Sequence, residues 1–522
     1  MKQLMILEVS QKQAYIFEST KLKENVKHSE EICWVTDPEY FKLVAEKSGL
    51  AFDKDENLVY SGGGHTVLEF PDRESARAFA YAVSSRVRRE YPELEYFIKT
   101  MEYDESEGVT PGDQLLQLSI GLEKKKAVRA ASFHQGSFGV EEKDTELRRA
   151  RAIVEETDKI KRKNQVEYAP AGFVMPVKLE DLGVSKDDSS FVAIVHIDGN
   201  GMGKRVNALR EQIKELPWEV YKKELREFSD AIDADFKTAF REMLDEVAGQ
   251  ISKLQKAGMD LKDHFFPIRK LILAGDDVCF VTEGRIGLEA ARIFIEKLST
   301  LENAVDHKRY TACAGVAIVH QKYPFYKAYE LSEMLCSNAK RFLASFSSEE
   351  RADRVEEAAT KGCAIDWHIE FGEIIDDLSD MRKNYETADG GTLELRPYLL
   401  KAEPELWQKE KIRRYSAFRN LIGILQSKNE IYARGKVKEL RGILKEGEEA
   451  TQYYLTSSLM DTIDLDIFED NDINKQLKLI GTGQGLERRA FVDVDGKRRS
   501  LYFDAIEMID TFISLDEEGH KA

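Results

Sequence analysis

The sequence predicts an α+β protein: two ferredoxin-like palm domains in tandem, followed by a mostly helical C-terminal domain. Three observations predict it. The order strand–helix–strand–strand–helix–strand occurs twice, which is the ferredoxin-like pattern. The hairpin at the centre of each unit carries a glycine turn, "SGGGH" (61–65) in the first and "AGDD" (274–277) in the second. Hydrophobic residues make up 42% of the 522 positions, enough to give two such units buried cores.

In the first unit (1–105), residues 3–9 read as a buried strand and 58–70 as strand, glycine turn, strand. Ala76, Phe79, Ala80, Val83 and Val87 recur at helical spacing and predict a helix over 73–90, and 94–103 returns as a strand. Residues 106–190 form a connector rich in charge and turns. The second unit (191–345) repeats the order with "FVAIVHI", "RKLILAGDDVCFVTE", a helix from Arg285 and "YTACAGVAIVH". A long helical insertion separates its first strand from the hairpin. Leu225, Phe228, Ile232, Phe236, Phe240, Met243, Val247 and Leu254 mark the apolar face of that insertion. Residues 325–343 read as a further helix. From 346 to 522 the chain reads as mostly helical, with 390–398 a loop.

Lys and Arg total 77 and Asp and Glu 95, a net charge of −18 that disfavours sequence-independent wrapping of nucleic acid. The run "RRARAIVEETDKIKRK" (148–163) is the best candidate for a local basic groove, and a solvated helix face is its simpler reading. No segment approaches the roughly 20 apolar residues of a membrane span. The five scattered cysteines form no C-x-x-C pair, so neither a zinc knuckle nor a disulfide framework is indicated, and the chain reads as cytoplasmic.

The second hairpin carries the chemistry. In "LILAGDDVCFV" (271–281) two carboxylates sit inside an apolar run. At ~4 Å and an effective dielectric near 20, two like charges repel by roughly 4 kcal/mol. Gly275 lets the backbone turn beside a ligand. "VHIDGNGMGK" (195–204) supplies a third carboxylate, Asp198, at the end of the strand expected beside the hairpin. Gly199, Gly201 and Gly203 free backbone N–H groups at a strand-to-helix junction, where phosphates bind, and Lys204 opens the helix. Hard oxygen donors around an open site suit Mg²⁺ or Mn²⁺. Asp198, Gly199, Asp276 and Asp277 are therefore the candidate metal ligands, and the three aspartates the candidate catalytic residues. A divalent ion on a nucleotide would make the paired carboxylates tolerable. The simpler alternative is an ordinary Asp-rich hairpin turn with Asp198 as a helix cap.

At these residues the chain resembles the polymerase-cyclase large subunit of type III CRISPR effector complexes, a relative of GGDEF and class III nucleotide cyclases. "DGNGMGK" and "AGDD" stand where that family has a DGD-x-MGK-like element and a GGDD turn. "PFYKAYELSEMLCSNAK" resembles the helix whose terminal Ala-Lys contacts the triphosphate, which implies that role for Lys340. "YSGGGH" resembles the degenerate turn of the family's first palm, implying nucleotide contacts at Ser61, Gly62, Gly63 and Gly64. With Gly199, Asn200, Gly201, Met202, Gly203, Lys204 and Gly275 these make up the expected nucleotide site. Asn200 replaces a frequent second Asp, and Ala274 the first glycine of GGDD. No His-Asp nuclease domain precedes the first palm and no four-cysteine zinc motif follows it, so the expectation is a compact or stand-alone member.

The resemblance implies a metal-dependent nucleotidyltransferase that joins ATP, or another NTP, into a cyclic oligoadenylate or related cyclic nucleotide. The product would act as a second messenger of antiviral defence on receptor effectors. Other subunits of an RNA-guided complex are the implied partners, and no membrane is. The alternatives are a non-catalytic scaffold subunit of such a complex and a cyclic-dinucleotide synthase. Asn207, near a base edge by position, is more simply solvent-facing.

Overall fold

The computed structural model describes residues 1–128, 168–183, 190–346, 359–372, 377–426, 433–458 and 490–515, and the backbone of 478–480 and 486–488, less residues 20, 105, 107 and 263. The basic run 148–163 lies outside the described residues.

The first palm is a four-stranded antiparallel sheet of β1 (Gln3–Val9), β2 (Leu58–Gly62), β3 (His65–Phe70) and β4 (Tyr96–Glu102), ordered β2-β3-β1-β4. Alternation along β1 divides its side chains between two faces. Met5, Leu7 and Val9 pack with Phe41 and Phe79 from the helices Pro38–Ser48 and Arg73–Glu90. Leu4 and Ile6 join the cluster that holds Leu115, Leu118 and Leu122 of the helix Pro111–Ala127. That helix starts at a capping box between Thr110 and Asp113 and lies within the expected connector.

The second palm repeats the topology with β5 (Phe191–Gly199), β6 (Ile268–Ala274), β7 (Asp277–Glu283) and β8 (Ala312–His320), in the order β8-β5-β7-β6. Val192 and Ile194 face the helix Phe325–Ala344. Ala193, Val195 and Ile197 face the helices Trp218–Gly249 and Gly287–Leu298. Gly315 on β8 sets how closely the first of these helices lies. A Cβ there would stand 2.0 Å from the Ser332 carbonyl oxygen and 2.3 Å from the Cys336 nitrogen, so only glycine admits the helix at this distance.

The sheet runs beyond the expected boundary at 345. β9 (Gly362–Glu370) pairs in parallel with β8, and β10 (Tyr398–Ala402) pairs with β9. β9 escapes sequence reading because it is buried on both faces yet carries charge. Asp366, fully buried, accepts from Asn338 Nδ2 at 2.8 Å and Arg382 Nη2 at 2.7 Å. Past β10 the described chain is mostly short helices, with two antiparallel strand pairs, Lys478–Ile480 with Leu486–Arg488 and Phe491–Val494 with Lys497–Ser500.

The insertion helix Trp218–Gly249 joins the palms. Lys222 Nζ bonds Glu69 Oε1 at 2.7 Å, and Ser229 Oγ donates to the Ser61 carbonyl at 3.0 Å. One continuous buried cluster includes Leu7 and Phe79 of the first palm with Ile194 and Tyr329 of the second. Among the described residues no helix is long and apolar enough to cross a membrane.

Candidate active site

Antiparallel pairing of β5 with β7 places Asp198 directly opposite Asp277. Residues in register across such a pair share a face, and like charges there repel. Gly275 and Asp276 form the two-residue turn between Ala274 and Asp277, with Gly275 at φ +63°, where a side chain would be strained. The Gly199 N–H donates to the Asp276 carbonyl at 3.2 Å, tying the end of β5 to the turn. The three predicted carboxylates are thus brought to one end of one sheet.

The electrostatics follow from that crowding. Burial, then the Asp198 charge, push both the Asp276 and Asp277 carboxyls up to about 7. Asp277 Oδ1 is buried with no hydrogen-bond partner, while the side chain as a whole is 39% exposed. Its other edge is therefore open to solvent. Lys340 supplies the local counter-charge. Its Nζ lies 2.7 Å from Asp198 Oδ2 and 3.5 Å from the Gly199 carbonyl, with the lysine side chain only 5% exposed. The ammonium stands at two of the oxygens expected to hold a metal.

Among the described residues no group of three or more His, Cys, Asp or Glu side chains forms a ready-made metal cage. The donor set still suits Mg²⁺ or Mn²⁺, which bind through one or two carboxylates and complete their shell with water and substrate phosphate. The unpartnered Asp277 Oδ1 and the opposed carboxylates are what a cation would relieve.

The remaining predicted residues divide. Gly201 has φ +67° and stands as N-cap of the helix Met202–Ile213. Gly203 and Lys204 are exposed in its first turn, and Met202 is buried. Asn200 turns inward: it is 3% exposed, and its Nδ2 donates to the Gly362 carbonyl at 2.9 Å, tying β9 to the site. Asn207 is exposed.

The turn of the first palm lies against that of the second. A Cβ built on Gly275 would stand 4.0 Å from the Gly63 nitrogen. Gly63 and Gly64 have φ +58° and +79°, a turn with both central residues left-handed. Ser61 Oγ and Thr66 Oγ1 both reach the Thr36 carbonyl, so Ser61 serves the hairpin's own structure.

Register also reveals residues the sequence did not announce. Glu8 lies opposite His65 on β1 and β3, as Asp198 lies opposite Asp277. Gln11, at φ +50°, caps the helix Lys12–Ile16 as Gly201 caps its own. Lys12 Nζ donates to the Gly63 carbonyl. Burial lowers its pKa, against the opposing pull of Glu8 and Asp277, so this cation lies near the carboxylates of both palms. Burial and Lys12 hold His65 down at about 4, in its neutral form. His196 Nδ1, buried and without a hydrogen-bond partner, is 3.7 Å from Asp277 Oδ1. The signal for these residues was positional: each sits at the strand end or turn matching its counterpart in the other palm.

Residues 191–344 match the family described as Cas10/Cmr2, second palm domain. That stretch is similar to a palm domain of the Cas10/Cmr2 type. It contains Asp198, Asp276, Asp277 and Lys340, and it ends with the helix Phe325–Ala344. The fold is similar to that of a Csm1–Csm4 cassette crystallised in complex with one ATP. There the TM-score is 0.50 at 14% identity, over 98% of this chain and 70% of that one. Csm1 from T. onnurineus aligns with a TM-score of 0.49 at 13% identity, over 98% of this chain and 70% of its own. No curated protein matches the chain.

Proposed function

We propose that the protein is a metal-dependent nucleotidyl cyclase that joins ATP into a cyclic oligoadenylate or related cyclic nucleotide, a second messenger of antiviral defence. One observation carries this reading: Asp198 and Asp277 are held opposite each other in register, beside Asp276, at a turn facing the glycine turn of a second palm. A structural hairpin gains nothing from setting Asp198 opposite Asp277, whose carboxyl is pushed up by burial and then by the Asp198 charge.

Asp198, Asp276, Asp277 and the Gly199 carbonyl would hold Mg²⁺ or Mn²⁺. The bound ion would neutralise the triphosphate and acidify the attacking 3′-hydroxyl. Lys204 and Lys340 act as charge partners of the triphosphate. The first palm positions the second ATP at the Gly62–Gly63–Gly64 turn, where Gly63 leaves open space and Lys12 lies against Gly64, with Ser61 beside it. In each step the 3′-hydroxyl gives its proton to solvent, a bond forms from O3′ to the α-phosphorus, and the bond from that phosphorus to the bridging oxygen breaks, releasing pyrophosphate. The last such step closes the ring. The palms contribute mainly orientation and charge stabilisation. Csm1 relatives have been crystallised with Csm4, and partner subunits of that kind are part of the proposal.

The test incubates the purified chain with each NTP and Mn²⁺ and identifies products by mass spectrometry, beside Asp276→Asn and Asp277→Asn. The reading expects a cyclic product from ATP that both variants lose. A folded wild type that forms no phosphodiester product with any NTP, alone or with its partner subunits, would refute it.

A further inference from the structure

A cavity of about 760 Å³, lined by none of Asp198, Asp276 and Asp277, lies between the end of β9 and the C-terminal helices. Its two walls differ in chemistry. One is cationic. Lys438, Arg441 and Lys445 line it from the helix Arg434–Ile443 and the turn that follows. Their i, i+3, i+7 spacing puts them on one stripe about 10 Å long. Val437, Leu440 and Leu444 occupy the adjoining stripe and are fully buried, which fixes the helix and turns the cations outward. All three are exposed, and none forms an ion pair among the described residues. In a chain of net charge −18, a cationic stripe at a cavity is a local inversion of the surface.

The facing wall is rigid, aromatic and acidic. Phe371, just past β9, is 68% exposed and touches Phe191 edge-on with ring centres 5.9 Å apart. Behind it, the Tyr385 hydroxyl donates to Glu507 Oε1 at 2.8 Å and lies 3.3 Å from His368 Nδ1. Glu507 Oε2 accepts from the fully buried Arg396 at 2.6 Å. Glu370 lies 3.7 Å from His368 across the same wall. These groups are held by one another, so the wall keeps its shape without a ligand.

We infer that this cavity is a nucleotide-binding site distinct from the palms, one that takes a nucleoside phosphate with its phosphates on the Lys438–Arg441–Lys445 stripe and its base against Phe371. A bare anion would satisfy the cations but would face Glu370 and Glu507 across the cavity. A nucleotide instead presents a neutral ring, with hydrogen-bond donors, to the acidic aromatic side. Stacking on one aromatic face and phosphate contacts with a cationic track are the elements by which proteins hold single nucleotides and short strands. The phosphate can belong to a free nucleotide or to the end of an oligonucleotide, and the experiment separates these sources.

The test is photo-cross-linking of the full-length chain with 8-azido-ATP, followed by peptide mapping. The expected result is labelling of peptides containing Phe371 or Tyr385. That labelling should fall at least tenfold in the surface variant Lys438→Glu/Arg441→Glu/Lys445→Glu, while any palm label and catalytic turnover stay unchanged. Competition by ATP and by a 5′-phosphorylated tetra-adenylate then identifies the source as free nucleotide or oligonucleotide, and either outcome supports the site. Displacement by inorganic pyrophosphate as effective as by ATP would reduce the cavity to an anion trap and overturn the proposal. Labelling that is absent from these peptides, or undiminished in the folded variant, would also overturn it. Asp276→Asn, which disables the proposed catalysis, should leave this label in place. The cavity site therefore stands or fails separately from the cyclase reading.

Discussion

Replacing Asp276 with the isosteric Asn should stabilise the protein. Asp276 carries a carboxyl at about 7, against an ordinary 3.8, because burial and the neighbouring Asp198 oppose its ionisation. A raised folded-state pKa means that, between about pH 4 and 7, the folded chain holds a proton the unfolded chain has released. Stability is then fully present below about pH 4 and is lost as pH rises to about 7. Three units at ~1.4 kcal/mol each set a ceiling of ~4 kcal/mol for this group. Lys340 beside Asp198 and the solvent-open edge of Asp277 lower it, so the expected gain from Asp276→Asn is ~1–3 kcal/mol near pH 8 and close to zero near pH 4.

The assay is denaturant unfolding of wild type and variant across that pH range in a chelator, followed by titration with Mn²⁺. Denaturant is the better readout, because an unfolding entropy of ~2 cal/mol/K per residue leaves ~1 °C per kcal/mol in a chain this long. Mn²⁺ should stabilise the wild type at high pH, by mass action on the folded state, and the variant much less. A variant no more stable than wild type near pH 8 in chelator, or a wild-type profile flat between pH 4 and 8, would refute the argument that the carboxylates are held against their own repulsion.

Other positions give further tests. Lys340→Ala leaves Asp198 unpaired opposite Asp277 and should cost ~3 kcal/mol near neutral pH as well as slowing turnover, read by unfolding and product formation. Lys204→Ala, on an exposed first helical turn, should change stability by under ~0.5 kcal/mol while raising the KM for ATP, and an unchanged KM would remove it from the site. Gly315→Ala forces the helix Phe325–Ala344 off β8 and should cost at least ~3 kcal/mol, with loss of the Lys340–Asp198 pair seen as lower activity in whatever protein still folds. Gly63→Val strains a left-handed turn residue by ~1–2 kcal/mol and adds bulk to the turn that lies against Gly275. Normal cyclisation by a folded Gly63→Val protein would exclude the first palm from the reaction.

Much of this was legible because the two palms obey short-range rules. The glycine turns, the helix over 73–90 and the hairpin around Asp276 follow from period and turn chemistry, and the structure returns them within a residue or two. What was hidden depends on distant partners. β9 carries Asp366, His368 and Glu370, and only Asn338, Arg382 and Tyr385, from elsewhere in the chain, make that strand buriable. Gly315 reads as one more small residue in an apolar strand until Ser332 is placed against it. Lys12 is unremarkable in "SQKQ", because its relation to Gly63 and Asp277 exists only after the palms meet.

The register of the two sheets carries the argument one step further. Position by position, Glu8, Gln11, Lys12, Gly64 and His65 of the first palm match Asp198, Gly201, Met202, Asp276 and Asp277 of the second. The backbone device is kept in both, including a left-handed residue before the helix, even where the first palm must use Gln11 for it. The charge is not kept. Two of the three carboxylates are replaced by Gly64 and a histidine held neutral, and a lysine appears where the second palm has Met202. A site that trades carboxylates for a lysine loses its attraction for a divalent cation and gains one for phosphate. Under the proposed function, the first palm would hold a nucleotide without activating it. Lys12→Ala should accordingly weaken nucleotide binding in the absence of metal, as measured by equilibrium titration with a non-hydrolysable ATP analogue. Lys12→Arg should restore that binding. If Lys12→Ala binds the analogue as well as wild type does, Lys12 only braces the Gly63 turn and the division of labour between the palms rests on the carboxylates alone.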